Sequence, residues 1–203
     1  MSATISFENG LVMDFSPLTT KVSDEQFAEL CRRNPELRIE RTSEGDLIIM
    51  PPTGGKTGAR NFYLTAKFGS WVQSDGTGKG FDSSTEFTLP NTAKRSPDVS
   101  WIRNERWNAL SDQDREEFPP LCPDFVIELR SRSDRIKALQ HKMTEYIANG
   151  AELGWLIDPF DQKIYVYRCG KPVEILDNPK EISGEPLLKG FVLDVQSLWT
   201  AAD

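Results

Sequence analysis

The chain has 203 residues, 38% of them hydrophobic and 27% charged, a composition typical of one globular domain rather than of a disordered chain. Its single histidine, His141, excludes zinc sites built from several imidazoles, and three widely spaced cysteines exclude a C-x-x-C motif and a complete disulfide framework. The net charge of −7 argues against non-specific electrostatic binding of nucleic acid over the whole surface. Basic residues would have to be concentrated locally for nucleic acid to bind. No apolar run reaches the length of a membrane span and the start is unlike a signal peptide, so we expect a soluble cytoplasmic protein.

The first part of the chain predicts a helix, a hairpin and a longer helix. Ser23 and Gln26 have the spacing of a capping box, which predicts a short helix from that point. Two β-favouring runs, 37–41 and 47–50, flank a turn-forming segment and predict a hairpin. The run 56–74 contains apolar positions and no acidic residue, and we expect it to be helical.

The middle of the chain predicts short strands separated by turns. Strands are expected around Phe81, at 87–89 and at 99–102, followed by brief helical turns at 103–110 and 112–117.

The last part contains the clearest pattern, a strand, a helix and a second strand. The apolar run 124–129 is typical of a central strand, 134–149 carries one apolar stripe of helical period, and 154–158 predicts the next strand. A further strand is expected at 163–167 and another at 173–176. The whole pattern predicts an α/β domain with a mixed sheet and helices outside it, containing this β-α-β unit.

A charged residue interrupts the most apolar strand. Side chains alternate along a strand, so Val126, Glu128 and Arg130 share one face while Phe125 and Ile127 point the other way. A carboxylate in that position must be neutralised, hydrogen-bonded or bound to a metal ion. A salt bridge from Glu128 to Arg130 is the structural alternative, and spacing alone does not decide between them.

A second acid opens the short strand at 99–102. Asp98 follows Pro97, and a carboxylate in that place is by itself most often a strand-end turn or cap residue. A proline-aspartate pair followed later by Glu-x-Arg on a buried strand is a more specific arrangement.

Further motifs occur in a fixed order around these two acids. They are Arg38-Ile-Glu-Arg, Asp46-Leu-Ile-Ile-Met-Pro-Pro52, Arg95-Ser-Pro-Asp-Val-Ser-Trp101, Pro123-Asp-Phe-Val-Ile-Glu-Leu-Arg-Ser131, Lys142 with Tyr146 and Gly150, Trp155-Leu-Ile-Asp-Pro159, and Pro186-Leu-Leu-Lys-Gly-Phe191. This ordered set, over about residues 22–199, resembles the Uma-type endonuclease family of the PD-(D/E)XK nuclease superfamily. The resemblance implies an α/β, restriction-endonuclease-like core with a mixed central β-sheet flanked by α-helices, in a single domain over residues 1–203.

The resemblance also implies an acidic site for Mg²⁺ or Mn²⁺ that hydrolyses phosphodiesters. Asp98 matches the acid of the P-D motif, Glu128 the acid of the E-x-K motif and Glu40 the upstream acid, and all three are implied as catalytic residues and metal ligands. Glu86 and Asp82 lie near predicted strand ends and remain alternatives to Glu40.

One position departs from the family pattern. Arg130 stands where the motif lysine is expected, and arginine does not give up its proton, so it cannot act as a base. In the family this lysine comes instead from the following helix, where Lys142 matches it. The resemblance thus implies that Lys142 positions the water and the phosphate; spacing alone would favour a solvent-exposed lysine paired with Glu145.

Basic residues follow the second motif acid. Arg130, Arg132 and Lys137 are the expected substrate-binding residues, although such a run is equally typical of a solvated helix face. We expect a metal-dependent endonuclease that acts on nucleic acid, with DNA favoured over RNA, no membrane partner, and a homodimer left open. The alternative is a catalytically inactive nuclease-fold module that binds nucleic acid or a protein; a glycosidase would leave the buried Glu-x-Arg strand unexplained.

Overall fold

The structure is a computed structural model that describes residues 21–200 and, nearer the start of the chain, the two strands at 4–6 and 12–14. Its helices are α1 (Asp24–Arg33), α2 (Gly55–Asp75), α3 (Asn104–Asn108), α4 (Asp112–Glu116), α5 (Ile136–Ala148) and α6 (Val195–Thr200). Its strands are β1 (Thr4–Ser6), β2 (Val12–Asp14), β3 (Arg38–Arg41), β4 (Leu47–Met50), β5 (Gly78–Asp82), β6 (Phe87–Thr88), β7 (Lys94–Arg95), β8 (Val99–Arg103), β9 (Phe125–Leu129), β10 (Leu153–Asp158), β11 (Lys163–Arg168), β12 (Glu174–Asp177), β13 (Glu181–Ser183) and β14 (Val192–Asp194).

The centre of the fold is a six-stranded mixed sheet in the order β12-β11-β10-β9-β8-β5. Strands β9 and β10 are parallel and are joined through α5, whereas the other neighbouring pairs are antiparallel. The predicted β-α-β unit is therefore confirmed, as is the α/β class with a mixed sheet flanked by helices.

The two faces of this sheet bury two different apolar clusters, as the alternation along β9 predicts. Phe125 and Ile127 belong to the cluster that includes residues of α2 and α6, while Val126 packs with Met143 and Tyr146 of α5. Burial of these side chains from water is the main source of the stability of the sheet. Glu128, on the same face as Val126, consequently points towards α5.

A second, smaller sheet has the strand order β4-β3-β7-β6. Its β3–β4 hairpin is the predicted one, with Glu40 opposite Ile48. Strand β7 pairs with β3 and is followed after two residues by Asp98 and β8. The smaller sheet thereby connects the strand that carries Glu40 to the segment that carries Asp98.

Local signals explain where the helices begin. The capping box of α1 is present, with the Ser23 hydroxyl accepting from the Gln26 N–H and the Gln26 side chain accepting from the Ser23 N–H. Helix α5 begins at Ile136, two residues later than predicted, because the Asp134 carboxylate accepts from the Ser131 N–H at 2.7 Å and closes a turn before the helix.

Five short strands, β1, β2, β7, β13 and β14, are not predicted by the sequence. None of the helices in the described part of the chain is both long and apolar enough to cross a membrane. The single domain over 1–203, the cytoplasmic location and the homodimer stay predictions.

Candidate active site

The candidate site is built around Lys142, which α5 directs towards two carboxylates. Its Nζ lies 2.7 Å from Oε1 of Glu40 and 2.8 Å from Oε1 of Glu128. The pairing of Lys142 with Glu145 that spacing favours is wrong, since Glu145 instead accepts from Nε of Arg95 at 2.6 Å. We call Glu40, Asp98, Glu128 and Lys142, the four residues predicted to be catalytic, the catalytic cluster.

Glu40 enters the catalytic cluster from the smaller sheet and is almost completely buried. Besides Lys142, its carboxylate accepts from the Ser96 backbone N–H at 2.9 Å and from Arg95 at 3.2 Å. Three donors on two oxygens hold this side chain in one orientation. Glu40 therefore fixes the Lys142 ammonium from one side.

Asp98 lies immediately before β8, and Glu128 lies in the adjacent strand β9 of the central sheet. Val99 pairs with Ile127 in the antiparallel β8–β9 ladder, and continuing this register by one residue places Asp98 opposite Glu128. Directly opposed residues of antiparallel strands point to the same face with their Cβ atoms roughly 5 Å apart. The two carboxylates predicted from the motif are therefore neighbours.

Hydrogen bonds orient both of these carboxylates. The Leu129 N–H donates to Oδ2 of Asp98 at 2.7 Å, and the Tyr146 hydroxyl donates to Oε1 of Glu128 at 3.0 Å. The alternative salt bridge from Glu128 to Arg130 is wrong, because Arg130 lies past the end of β9 and its guanidinium reaches Asp158 at 2.7 Å.

The protonation of the catalytic cluster follows from burial and from the charge of Lys142. Burial raises the pKa of Glu128 and of Asp98. Burial acts in the same direction on Glu40, but the charges of Lys142 and Arg95 outweigh it and lower the pKa of Glu40. Burial opposes the charge of Lys142, yet the two glutamates outweigh it and raise the lysine pKa. The lysine is an ammonium, suited to orient an anion rather than to accept a proton.

The three expected substrate-binding residues lie in different surroundings. Arg130 is anchored on buried Asp158, and its guanidinium lies 5.4 Å from the centre of the Phe160 ring. Arg132 is exposed and lies 5.6 Å from the same ring, while Lys137 is exposed on α5. Arg132 and Lys137 are thus accessible to a ligand, whereas Arg130 is mainly engaged within the protein.

The two alternatives to Glu40 differ from each other. Asp82 is exposed and accepts from the backbone and hydroxyl of Ser84 in a turn. Glu86 is buried, and its Oε1 has no hydrogen-bond partner among the described residues. Burial, together with the charge of Glu40, raises the pKa of Glu86 to about 8.

Sequence reasoning missed Asn61 of α2. Its Nδ2 lies 3.5 Å from Oδ1 of Asp98, and its own Oδ1 is buried without a hydrogen-bond partner among the described residues. A polar residue in an otherwise ordinary helix gives no signal of this kind in a sequence. Arg95 and Ser96 belong to one of the motifs, but their contacts with Glu40 depend on the pairing of β3 with β7 and are not predictable from the sequence.

The facing pair Asp98 and Glu128 fits a hard divalent cation. Mg²⁺ prefers oxygen ligands, keeps several waters and is commonly held by one or two carboxylates together with phosphate oxygens of a substrate. Within the described residues, no three His, Cys, Asp or Glu side chains form a complete cage for a metal. The donor set therefore suits a cation that completes its coordination from water and substrate, and Glu40 joins the cluster through Lys142.

Comparisons with known proteins agree with this architecture. The Uma2 family model, described as "Putative restriction endonuclease", matches residues 24–196. A crystal structure of a putative nuclease belonging to DUF820 from Anabaena variabilis ATCC 29413 is similar in fold, with a TM-score of 0.71 and 22% sequence identity over 83% of this chain and 93% of that one. A search of curated proteins gave no match. The match over most of its length shows that this chain belongs to the Uma2 family.

Proposed function

We propose that this protein is a metal-dependent endonuclease that hydrolyses phosphodiester bonds of DNA with Mg²⁺ or Mn²⁺. The observation that carries the proposal is the placement of the Lys142 ammonium 2.7 and 2.8 Å from Glu40 and Glu128, with Asp98 facing Glu128 on the next strand. The restriction-endonuclease description of the Uma2 family supports a nuclease and favours DNA as the substrate.

Each residue of the cluster has a distinct task in this proposal. Asp98 and Glu128 would hold the cation, which would polarise the phosphate and lower the pKa of a water molecule. The Leu129 N–H and the Tyr146 hydroxyl keep the two carboxylates in place, at 2.7 and 3.0 Å. Preorganised ligands of this kind need no rearrangement during the reaction.

Lys142 orients the phosphate and the attacking water. It remains protonated because Glu128 and Glu40 raise its pKa, so it donates hydrogen bonds and stabilises negative charge rather than removing a proton. Arg95 and the Ser96 N–H hold Glu40, and Glu40 in turn fixes Lys142. Arg132 and Lys137 are exposed and would contact phosphates outside the reacting group.

The test is cleavage of circular DNA, single-stranded and supercoiled, because circles have no ends and report endonuclease activity alone. We expect cleavage that requires Mg²⁺ or Mn²⁺ and falls by roughly 100-fold or more in Asp98→Asn, because a bound metal supplies several kcal/mol of transition-state stabilisation. The matched control is Asp112→Asn, whose carboxylate is 98% exposed on α4, and it should cleave like the wild type.

Two results would count against the proposal. Cleavage that continues in EDTA, or equal rates for the two aspartate variants, would exclude this metal site as the source of activity. Binding of DNA without cleavage under any metal would favour the inactive nuclease-fold module instead.

A further inference from the structure

A cavity of about 470 Å³ opens beside the catalytic cluster at the start of α2. Lys56, Arg60 and Arg132 lie in its wall together with Phe160, and none of its lining residues is acidic. In a chain with 31 acidic and 24 basic residues, a wall with three cations and no acid departs from the average surface. Its charge and volume suit an anionic ligand of the size of a nucleotide.

Both walls of the cavity continue directly into the catalytic cluster. On one side Thr57 lines the cavity, and Asn61, about one helical turn further along α2, lies 3.5 Å from Asp98. On the other side Ser131 lines the cavity two residues after Leu129, whose N–H holds Asp98. Both walls of the cavity are therefore connected through the chain to groups that contact Asp98.

The cavity combines a flat apolar surface with cations. Phe160 is 40% exposed, and the Arg132 guanidinium lies 5.6 Å from the centre of its ring. Nucleobases stack on aromatic rings and on guanidinium planes, and phosphates pair with arginine and lysine. Phe160 and Arg132 together offer both kinds of contact within one site.

Two glycines at the mouth of the cavity leave room for close approach. A Cβ built on Gly54 or Gly55 would meet no atom within 4 Å, and neither residue has a left-handed φ. Neither the packing nor the backbone conformation of the protein thus requires glycine there. Glycine does allow a ligand to approach the backbone at the start of a helix more closely than other residues.

We propose that this cavity binds one unstacked nucleotide of the strand being cut, with its phosphate at Arg60 and Arg132 and its base against Phe160, so that the substrate is single-stranded DNA. The inference rests on the proposed function in that the bound strand is the one presented to Asp98 and Glu128. A base inside a duplex is stacked and paired, and bringing it into such a cavity costs energy that a single strand does not have to supply.

The inference is tested by binding rather than by cleavage. Fluorescence anisotropy in EDTA would compare a labelled 15-nucleotide single strand with a hairpin duplex of the same labelled sequence. We expect the wild type to bind the single strand at least about tenfold more tightly, and Phe160→Ala to weaken that binding by roughly fivefold or more while leaving duplex binding unchanged. Phe160→Tyr, which retains the ring, should bind the single strand like the wild type. This variant still tests the role of the ring if the alanine variant does not fold.

The matched control is Phe62→Ala, an aromatic residue of α2 that is 77% exposed and does not line the cavity; its affinity should not change. Equal affinity for single strand and duplex, no binding of either, or equal effects of the two alanine variants would overturn the inference. Because no metal and no turnover are involved, a failure of the proposed catalysis leaves this measurement intact. Conversely, if Phe160→Ala cleaves DNA at the wild-type rate, the proposed endonuclease activity stands and the proposed nucleotide site is wrong.

Discussion

Lys142 is the residue at which side chains from the two sheets meet. Glu40 comes from the smaller sheet and Glu128 from the central one, and the ammonium lies within 2.8 Å of an oxygen of each. Two buried carboxylates without a cation would repel each other at a cost that grows in a low dielectric. The lysine thus has a structural task that can be separated experimentally from its proposed task in catalysis.

Replacing Lys142 with methionine should lower both stability and activity. We expect a loss of about 3–5 kcal/mol in the free energy of unfolding, because the buried carboxylate of Glu128 loses its ion pair with Lys142, whereas Glu40 keeps its ion pair with Arg95. Burial raises the pKa of Glu128 and the charge of Lys142 opposes this, so without the ammonium the Glu128 pKa would rise further, and the stability of the variant should fall more steeply than that of the wild type as pH rises from 5 to 8. Urea unfolding at both pH values measures this.

The control for that experiment is Lys137→Met, an exposed position on the same helix. Its stability should stay within about 0.5 kcal/mol of the wild type. If Lys142→Met were no less stable than Lys137→Met, the ion pairs would carry no net stabilisation. If Lys142→Met also cleaved DNA at the wild-type rate, the proposed role of Lys142 in positioning the phosphate would be wrong.

Glu86 should produce a measurable pH dependence of its own. Burial and the charge of Glu40 raise its pKa to about 8 from an ordinary 4.5. A folded-state pKa above the unfolded value stabilises the fold at low pH, and this contribution is lost as pH rises towards 8. Between pH 6 and pH 9 the wild type should lose about 1–3 kcal/mol more than Glu86→Gln, which does not titrate. Parallel stability curves in urea would show that Glu86 does not titrate in this range.

At the level of elements, the edge strand β5 can pair closely with β8 because Gly78 has no side chain. A Cβ at Gly78 would overlap with the indole of Trp101 and with the carbonyl oxygen of Ile102. Strand β8 begins directly after Asp98, so displacement of its partner strand would also disturb the proposed metal ligand.

Gly78→Ala should therefore destabilise the protein by about 1–3 kcal/mol, as overpacking does in a rigid interior. Gly69→Ala, in the middle of α2 where a Cβ would meet no atom within 4 Å, is the opposite case. It should stabilise by about 0.5–1 kcal/mol, because alanine favours the helix over glycine. Thermal unfolding of both variants should show melting temperatures on opposite sides of the wild type, and a shift in the same direction would contradict the packing argument.

The elements predicted correctly from the sequence are those with a repeating or local signal. The capping box of α1 uses contacts three residues apart, and α5 with its two flanking strands has a clear period and turn residues at its ends. Strand β7 has two residues and pairs with β3 through Arg41 and Lys94, so no period could reveal it. The contact of Arg95 with Glu40, which lie 55 residues apart in the sequence, depends on the pairing of β7 with β3.

In the candidate site, too, the features with a local sequence signal are predictable, and the contacts between distant parts of the chain are not. The facing of Asp98 and Glu128 follows from a motif together with strand pairing, whereas the ion pair of Arg130 with Asp158 is not predicted by the sequence. Asp158 closes β10 and is fully buried, and nothing in its local sequence indicates that it needs an arginine from the neighbouring strand. Partners of buried charges are decided by tertiary contacts, and spacing along the chain does not reveal them.

At the scale of the whole molecule, the distribution of charge matters more than its sum. The chain has a net charge of −7, yet the cavity beside the catalytic cluster contains Lys56, Arg60 and Arg132 and no acidic side chain. A negatively charged protein repels DNA at long range, and local cations attract phosphates at short range. Binding should therefore involve few phosphates and depend only moderately on salt.

The salt dependence of single-strand binding tests this distribution of charge. Contact with about two phosphates, that of the bound nucleotide at Arg60 and Arg132 and one neighbour in the strand, gives a slope of roughly −1.4 for log affinity against log salt, so affinity should fall about sevenfold between 50 and 200 mM NaCl. Arg132→Ala weakens the phosphate contact that it shares with Arg60 and should reduce the magnitude of the slope by up to about 0.7, whereas Lys79→Ala, exposed on edge strand β5 and outside the cavity, should leave the slope unchanged. An equal change in both variants would mean that net charge, rather than the cations of the cavity, controls binding. A slope near zero in the wild type would mean that phosphate contacts contribute little.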